Sequence, residues 1–222
     1  MKPIIIVYYV PCGHRSGNFG DMFSREIVTH LGGRPADPSG EGDADIMNAE
    51  IVASGSLAQN LPVEFEGHVW GTGLMFEHAE IKCSGAKVAA LRGKLTAARW
   101  PGRPDVPLGD PGLLVRTARP HLTRVIVPRW RVGIVPHYVD MNSPLVAEFL
   151  KRNRDTCTAI DSCSPDFPER VAECEVILSS SLHGLVTADA LGIPNAWIVL
   201  GDLIQGGSFK FRDYVSAFGV TD

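Results

Sequence analysis

Short apolar runs that do not alternate with polar residues place the strongest limit on what this chain can fold into. The first run covers residues 4–10 and consists largely of isoleucine and valine. Runs of this kind are typical of strands in parallel sheets, because helices cover both faces of such strands. Similar runs recur along the chain, at residues 45–53, 68–70, 87–91, 131–135, 175–178 and 196–200.

Helical patterns lie between these runs, so strand and helix alternate along the chain. The alternation indicates βαβ units with a parallel sheet, and the predicted fold class is therefore α/β. The predicted helices cover residues 21–30, 92–99, 144–152, 167–174, 185–191 and 209–218.

One stretch interrupts the alternation and predicts two halves. Residues 101–128 are rich in proline and arginine and lack a clear period. We interpret this stretch as a connection, so the predicted domains are residues 1–115 and residues 116–222. A second stretch, at residues 34–43, is rich in glycine, proline and aspartate and is predicted to be a surface loop.

The composition excludes some classes of partner. The chain has 222 residues, of which 45% are hydrophobic and 21% charged, and its formal net charge is −4. These values are typical of a soluble globular protein. No basic block or basic stripe interleaved with aromatic residues occurs, so we predict no nucleic-acid partner. An anionic substrate would need a local binding site, because the surface as a whole does not attract anions.

The cysteines and the N-terminal run favour a cytoplasmic protein. The chain has five cysteines but no C-x-x-C pair and no zinc-ligand spacing, as expected for reduced thiols in the cytosol. The apolar run after Lys2 could suggest a signal peptide. However, it is only about a strand long, and no small-residue cleavage site follows it, which favours a buried strand. No apolar stretch reaches the roughly 18 residues of a membrane span.

Two strand-to-helix turns are candidates for a functional site, and the first follows the N-terminal run. It has the sequence Ser16-Gly17-Asn18-Phe19-Gly20-Asp21. Its glycines would let the backbone approach a ligand closely. Asp21 could accept a hydrogen bond from a ligand hydroxyl. A plain turn in which Asp21 caps the helix explains the same residues, and both interpretations stay open.

The second turn has the sequence Ser179-Ser180-Ser181-Leu182-His183-Gly184, and we call it the serine turn. It follows a buried strand and begins a helix, so hydroxyls and backbone N–H groups are expected to converge at a helix N-terminus. Such a position favours a phosphate or a carboxylate. His183 could donate to that anion or move a proton, and Gly184 would keep the approach open. The alternative is a serine cap beside a half-buried histidine.

Four single residues are further candidates. Thr72, between two glycines after a short strand, could line a cleft, although a plain turn explains it equally well. Arg92 follows a strand and could pair with a carboxylate, and His137 follows another strand. Lys210 in the final helix could reach a donor phosphate. The alternatives are that Arg92 belongs to a solvated helix start, that His137 is a structural histidine and that Lys210 is a solvated charge.

Common nucleotide and metal motifs are absent from the sequence. It contains no G-x-x-x-x-G-K-[ST] loop, no complete G-x-G-x-x-G and no G-x-S-x-G. Asp43-Ala44-Asp45 would be a weak metal site and is interpreted as the entry to a strand. No metal site and no cofactor are therefore predicted.

Taken together, the motifs resemble those of the polysaccharide pyruvyl transferase family, and especially its short bacterial exopolysaccharide members. The resemblance extends over nearly the whole chain, and the order and spacing of the motifs make it specific. The motifs are Asn18-Phe19-Gly20-Asp21, Gly71-Thr72-Gly73-Leu74, Leu108-Gly109-Asp110-Pro111-Gly112, Val132-Gly133-Ile134-Val135-Pro136-His137, the serine turn with Ala188-Asp189-Ala190-Leu191-Gly192-Ile193-Pro194 after it, and Lys210-Phe211-Arg212-Asp213-Tyr214.

The resemblance implies a fold and a reaction. It implies two Rossmann-like halves in a glycosyltransferase-B-like arrangement, with the acceptor on the first half, the donor on the second and the active site between them. The reaction would transfer the enolpyruvyl unit of phosphoenolpyruvate to two hydroxyls of one sugar, forming a pyruvate ketal and releasing phosphate. The acceptor would be an oligosaccharide or a lipid-linked sugar, and a lipid-linked one would bring the protein to the inner face of the membrane.

The reaction suggests roles for the candidate residues. His183 is expected to be the general acid/base, with Asp21 on the acceptor hydroxyl and His137 as the second candidate base. The serine turn would hold the phosphate, and Arg92 or Lys210 the carboxylate. The predicted substrate-binding residues are Asn18, Gly20, Thr72, Arg92, Ser180, Ser181, Leu182, Gly184 and Lys210.

Two departures from the family pattern leave alternatives open. Some relatives carry Arg-Leu-His where this chain has Ser181-Leu182-His183, so another group would have to bind one of the donor's charges. The final helix, which often returns to the first half in this architecture, is expected to be reduced or absent. The alternatives are a nucleotide-sugar glycosyltransferase of the same architecture and an inactive relative that binds a glycan or an anion.

Overall fold

The computed structural model describes residues 4–7, 19–32, 35–36, 49–123 and 127–220, without the side chains of residues 4–7, 21, 35–36 and 123. The described strands are β1 (Ile4–Val7), β2 (Pro35–Ala36), β3 (Ile51–Val52), β4 (His68–Trp70), β5 (Lys87–Ala90), β6 (Trp130–Val135), β7 (Cys157–Ala159), β8 (Cys174–Ser179) and β9 (Asn195–Trp197). The helices are α1 (Phe19–His30), α2 (Lys94–Ala97), α3 (Val115–Ala118), α4 (Pro144–Arg152), α5 (Phe167–Ala172), α6 (Leu182–Leu191) and α7 (Phe209–Ser216).

The strands form two parallel sheets, which confirms the predicted α/β class. The first sheet has the order β2-β1-β3-β4-β5, and the second has the order β7-β6-β8-β9. All recorded strand pairs are parallel. Their continuous apolar sequences agree with this pairing, because each inner strand has neighbours on both sides and helices over its faces.

The chain divides into two compact units, but its course between them differs from the predicted boundary. The first unit contains residues 1–9, 21–111 and 205–222, and the second contains residues 10–20 and 112–204. The main crossing lies at residues 111–112 rather than 115–116. The final helix, α7, belongs to the first unit and is therefore neither absent nor part of the second half.

Two short strands escaped the sequence analysis. Pro35–Ala36 pairs with β1 inside the segment that was predicted to be a surface loop, and the rest of that segment lies outside the described residues. Cys157–Ala159 pairs with β6 and forms an edge of the second sheet. Both strands are too short to show a hydrophobic period. The predicted connection at residues 101–128 also contains α3 and two 3-10 turns.

The order of strands in each sheet creates a crevice at one edge. In the second sheet the chain moves from β6 to β7 on one side and then to β8 on the other. In the first sheet β1 has β2 on one side and β3 on the other. Open α/β sheets bind ligands at such reversals, outside the carboxyl ends of the strands. The loops after β6 and β8 therefore lie where a ligand is expected.

Helix α6 carries the serine turn and is almost wholly buried. Eight of its ten residues are buried, so its apolar sequence needs no polar face. Gly192 ends the helix at a φ of 72°, a left-handed conformation that glycine adopts without strain. The Arg116 guanidinium donates to the Leu191 carbonyl at this end. In the part of the chain that the structure describes, no helix has the length and apolar character to cross a membrane.

Candidate functional site

The serine turn lies beside the loop that follows β6. Val135, the last residue of β6, is in register with Ser179, the last residue of β8. The Ser180 backbone N–H donates to the Val135 carbonyl at 3.1 Å and extends this pairing by one residue. Because both strands end at the same edge, the side chains that follow them share one small region.

Ser179 holds the turn together from inside. Its hydroxyl lies 2.9 Å from the Val135 carbonyl and 2.7 Å from the Ser181 carbonyl. It also accepts the Ser181 backbone N–H at 3.0 Å. Since a hydroxyl has a single proton, the two carbonyls share it. Ser179 is fully buried, and its hydroxyl bonds to the turn itself and to the end of β6.

Ser180 joins the turn to the loop after β6. Its hydroxyl donates to Oδ2 of Asp140 at 2.8 Å and accepts the His137 backbone N–H at 2.8 Å. The Ser180 proton is therefore committed to a buried carboxylate. The predicted contact between this hydroxyl and a bound anion has no support in its hydrogen bonding.

Ser181 differs from the two serines before it. It occupies the N-cap position of α6, with φ −99° and ψ 133°, yet its side chain makes no capping hydrogen bond. Within the described parts of the chain, its hydroxyl and the Leu182 backbone N–H have no partner. Ser181 is 1% exposed and Leu182 is 5% exposed. The serine turn therefore presents one unused hydroxyl and one unused N–H at a helix N-terminus, rather than three hydroxyls.

His183 lies next to these two groups and packs on Gly20. A Cβ atom added to Gly20 would lie 1.8 Å from Cγ of the His183 ring, so only glycine allows the ring to lie where it does. The neighbouring Phe19 packs on Phe167 with ring centroids 5.3 Å apart, and its N–H donates to the Ser162 carbonyl at 2.8 Å. The start of α1 is thereby fixed against His183. Gly20 was predicted to let the backbone approach a ligand. In the structure it leaves room for the ring of His183, the predicted acid/base.

Gly184 allows α6 to begin directly over the ends of the strands. A Cβ atom at this position would lie 2.2 Å from Oγ of Ser179 and 2.9 Å from Cγ1 of Val135. Any larger residue would push the first turn of the helix away from the sheet. Its predicted role in keeping a ligand's approach open stays a prediction, whereas its packing role is visible.

His137 lies at the same edge, at the start of a 3-10 turn. Its Nδ1 accepts the Val139 backbone N–H at 3.4 Å, which is a long hydrogen bond. The ring lies 4.4 Å from that of Tyr138, centroid to centroid. His137 is 8% exposed. The contact requires an unprotonated Nδ1, and the predicted role of His137 as a base stays a prediction.

Arg92 lies in the first unit and has a structural environment. Its Nε donates to Oδ2 of Asp213 at 2.9 Å, and its two terminal nitrogens donate to Oγ of Ser56 and to the Leu74 carbonyl. The side chain is 0% exposed. We therefore assign Arg92 to the attachment of α7, in place of the predicted contact with a substrate carboxylate.

The other predicted residues of the first unit are also buried. The Thr72 hydroxyl donates to the Gly55 carbonyl at 2.9 Å and accepts the Leu57 N–H at 3.0 Å, so it connects two loops. Nζ of Lys210 lies 5.5 Å from the centroid of the Phe211 ring, and the residue is 6% exposed. The role of Lys210 towards the donor stays a prediction. Asn18 lies outside the described residues, as does the side chain of Asp21.

Asp140 was not among the predicted site residues, and the structure joins it to the serine turn through the Ser180 hydroxyl. It follows His137 by three positions and is 5% exposed. A carboxylate shortly after the end of a buried strand was the available signal. Among the residues that are described, no group of three or more His, Cys, Asp or Glu side chains could hold a metal ion.

The cysteines of the described segments lie outside this site. Cys83, Cys157, Cys163 and Cys174 are buried and form no disulfide among the described residues. Burial, with a smaller contribution from Glu173, raises the pKa of the Cys174 thiol to about 12. This thiol is therefore protonated and unreactive at neutral pH.

Comparison with known proteins gives two relatives and no matching family model. Uncharacterized protein L143 of Acanthamoeba polyphaga mimivirus is 32% identical over 168 residues, which cover 68% of this chain and 55% of the viral protein. Succinoglycan biosynthesis protein ExoV of Rhizobium meliloti (strain 1021) is 24% identical over 140 residues, which cover 60% of this chain and 41% of ExoV. The chain thus spans about half the length of the curated relatives it matches. The distant similarity to ExoV supports the resemblance in part.

Proposed function

We propose that this chain is a transferase of polysaccharide biosynthesis that transfers the enolpyruvyl unit of phosphoenolpyruvate to two hydroxyls of one sugar. The observation that carries the proposal is the unused Ser181 hydroxyl and Leu182 N–H beside His183, at the N-terminus of α6. The distant similarity to a protein named for succinoglycan biosynthesis supports the pathway. The family resemblance of the ordered motifs supports the donor.

The donor phosphate would bind at the start of α6. The helix dipole favours an anion there by about 0.3–1 kcal/mol at exposed sites and by more where water is excluded. Ser181 and Leu182 would each donate one hydrogen bond to it. Bonds of this kind to a charged group contribute roughly 1.5–3 kcal/mol each. A phosphate has several oxygen atoms, so it can accept from Ser181 and Leu182 together.

His183 would move the protons of the reaction. The methylene carbon of phosphoenolpyruvate gains a proton while a sugar hydroxyl adds to C2 and loses its own. The second hydroxyl then replaces the phosphate on C2 and loses its proton, and one proton leaves with the phosphate. Two hydroxyl protons are lost and two are taken up, so no oxidant, reductant or metal is required. One group that alternates as acid and base fits this sequence.

The acceptor would be an oligosaccharide or a lipid-linked sugar. A lipid-linked acceptor would bring the protein to the inner face of a membrane through its substrate. Asp21 stays our proposed partner for the acceptor hydroxyl on the first unit. With Arg92 enclosed in its own network, Lys210 is the remaining predicted partner for the donor carboxylate.

The proposal is tested by incubating the protein with phosphoenolpyruvate and a panel of glycans, and by measuring the phosphate released. Release that depends on both donor and acceptor is expected, with a ketal detected by mass spectrometry. Binding of a nucleoside diphosphate, seen as a rise in Tm, together with turnover of a nucleotide sugar and no phosphate release, would replace the proposal with a glycosyltransferase.

A second candidate function is an inactive relative that binds a glycan or an anion. It is favoured by the position of Arg92, whose guanidinium is enclosed, and by Ser181 standing where some relatives of the family it resembles carry arginine. Binding of phosphoenolpyruvate without turnover of any glycan in the panel would support this candidate over the transferase.

Ser181→Ala is expected to weaken phosphate binding while leaving stability unchanged. Within the segments that the structure describes, the Ser181 hydroxyl makes no hydrogen bond, so its loss should change the free energy of unfolding by less than about 0.5 kcal/mol. Loss of one bond to a charged ligand should cost about 1.5–3 kcal/mol, or roughly 10- to 150-fold in affinity. Titration with inorganic phosphate measures the second effect, and denaturation in urea the first.

Ser179→Ala is the matched control for that experiment. Its hydroxyl holds the turn from inside through three internal contacts, so this variant should lose stability. Unchanged phosphate affinity in Ser181→Ala would exclude the Ser181 hydroxyl from the anion site.

A further inference from the structure

Asp140 has a carboxylate oxygen that the protein itself does not use. Its Oδ2 accepts the Ser180 hydroxyl at 2.8 Å. Its Oδ1 has no hydrogen-bond partner in the described part of the chain. The residue is 5% exposed. Buried polar atoms are almost always hydrogen-bonded, so an oxygen that has no protein partner is open to a ligand or to water.

The position of Asp140 is held firmly. Its backbone N–H donates to the His137 carbonyl at 2.7 Å and closes the 3-10 turn of residues 138–140. Ser180 fixes the carboxylate from the other side and also accepts the His137 N–H. The side chain therefore cannot turn Oδ1 away without breaking the link between the loops after β6 and β8.

Among the described residues, Oδ1 of Asp140 is not one of the fully buried side-chain atoms that lack a partner, so this unpaired oxygen is accessible from outside. Gly201, in the loop after β9, is exposed, and a Cβ atom added to it would lie 3.8 Å from Oδ1 of Asp140. Glycine at this position places no side chain over the carboxylate. Asp140 follows β6 and Ser180 follows β8, so the carboxylate lies at the strand reversal where a ligand is expected.

The chemistry of Oδ1 selects the class of ligand. An ionised carboxylate only accepts hydrogen bonds, so its partner must be a donor, either a cationic group or a neutral one such as a hydroxyl. An anion would be repelled, and the anion site is built separately from Ser181 and Leu182. A ligand that carries many hydroxyls and approaches this edge is a sugar.

We propose that Oδ1 of Asp140 binds a hydroxyl of the acceptor sugar and accepts its proton when the oxygen attacks the donor. The binding step stands on the geometry of Asp140, whereas the catalytic step rests on the proposed function. In that step the O–H bond breaks, a C–O bond forms at C2 of the donor, and the proton passes from the hydroxyl to the carboxylate. An acid, which we take to be His183, protonates the methylene carbon as the C=C bond of the donor opens. When the second hydroxyl breaks the C–O bond to the phosphate and takes its place, that hydroxyl returns its proton to His183, and the proton on Asp140 leaves with the phosphate.

The proposal is tested with Asp140→Asn, which keeps the shape of the side chain but removes its charge. We use methyl β-D-galactopyranoside, methyl β-D-glucopyranoside and methyl α-D-mannopyranoside as probes, observed by saturation-transfer NMR without donor. At least one glycoside is expected to bind the wild type and to bind Asp140→Asn at least about fivefold more weakly. Inorganic phosphate is expected to bind both proteins within about twofold.

Three variants separate a direct contact from a structural role. Asp155→Asn removes an equal charge from a side chain that is 90% exposed and precedes β7, at the opposite edge of the sheet, and it should bind the glycoside like the wild type. Ser180→Ala breaks the link to Asp140 but keeps the carboxylate, so its effect should be smaller than that of Asp140→Asn. Asp140→Glu restores the charge and should recover part of the affinity.

Glycoside binding tests the hydroxyl site at Asp140 separately from the proposed transferase reaction. If the wild type binds a glycoside and Asp140→Asn does not, the hydroxyl site stands even when no phosphate is released from phosphoenolpyruvate. If turnover occurs, kcat should fall by roughly 100-fold or more in Asp140→Asn. Equal glycoside binding by the wild type and Asp140→Asn would overturn the proposal, as would equal losses in Asp140→Asn and Ser180→Ala or the absence of glycoside binding by the wild type.

Discussion

Asp213→Ala is expected to lower the free energy of unfolding by about 3–5 kcal/mol, the usual cost of removing one partner from a buried ion pair. Asp213 is fully buried and accepts from Nε of Arg92 at 2.9 Å. It also accepts the Thr96 N–H at 2.8 Å and the Thr96 hydroxyl at 2.7 Å. The substitution leaves a charged guanidinium and these two donors without their acceptor.

The effect should extend to the attachment of α7. Helix α7 approaches the chain so closely at Gly93 that an added Cβ atom there would lie 1.7 Å from the Asp213 carbonyl oxygen. The Ser216 hydroxyl accepts the Lys94 N–H at 2.8 Å on the same side of the helix. Without the ion pair, the segment after residue 205 should become the first part of the protein to lose protection from hydrogen exchange.

Urea denaturation measures the loss, and Asp155→Ala provides the control. Asp155 lies 3.8 Å from Arg154 in an ion pair whose side chains are 84% and 90% exposed, so its removal should change stability by less than about 1 kcal/mol. Adding Arg92→Met to Asp213→Ala tests the cause, because the double variant removes both charges of the pair and should recover part of the lost stability. Equal stability of Asp213→Ala and Asp155→Ala would show that the buried pair contributes no more than an exposed one.

His183→Ala is expected to reduce the turnover of phosphoenolpyruvate by roughly 10²- to 10⁴-fold, the usual contribution of a general acid/base. His183 lies directly beside the two unused donors of the serine turn, at the second position of α6. No other titratable side chain occurs in that turn. Phosphate affinity should change far less than turnover, because the proposed anion donors belong to Ser181 and Leu182. Phosphate release with an active glycan measures the first quantity, and phosphate titration measures the second.

Gly20→Ala tests whether the position of His183 matters as well as its chemistry. The new methyl group would occupy the space of the ring, 1.8 Å from Cγ, while alanine suits the helix α1. Turnover should therefore fall in Gly20→Ala although the catalytic side chain is retained. Wild-type rates in His183→Ala would remove His183 from the mechanism, and wild-type rates in Gly20→Ala would show that the ring can work from another position.

The fold could be predicted from the sequence to the extent that its elements are long and regular. The run at residues 175–178 and the helix after it appear as β8 and α6. The strands of two residues at Ile51–Val52 and Pro35–Ala36 depend on their neighbours for pairing. The first was found only as part of a longer apolar run, and the second was missed, because so short a segment has no period of its own.

Part of the candidate site could also be predicted, because it depends on regular local patterns. Its place was predictable, because Ser179 ends a buried strand and Leu182 begins an apolar helix. The different roles of the three serines were not predictable, because the Ser180 hydroxyl donates to Asp140, which lies 40 residues away in the chain. Arg92 was misjudged in the same way, since its partner Asp213 is 121 residues distant.

The sequence by itself determined the alternation of strand and helix, the α/β class and the place of the serine turn at a helix N-terminus. These features follow from local patterns of apolar and turn residues, which act over a few positions along the chain. Only the tertiary structure decided which polar groups remain for a ligand. Burial forces each polar group to find a partner, and the partner comes from whichever segment the fold brings near. Within the described residues, the Ser181 hydroxyl and Oδ1 of Asp140 are among the groups that this pairing leaves over.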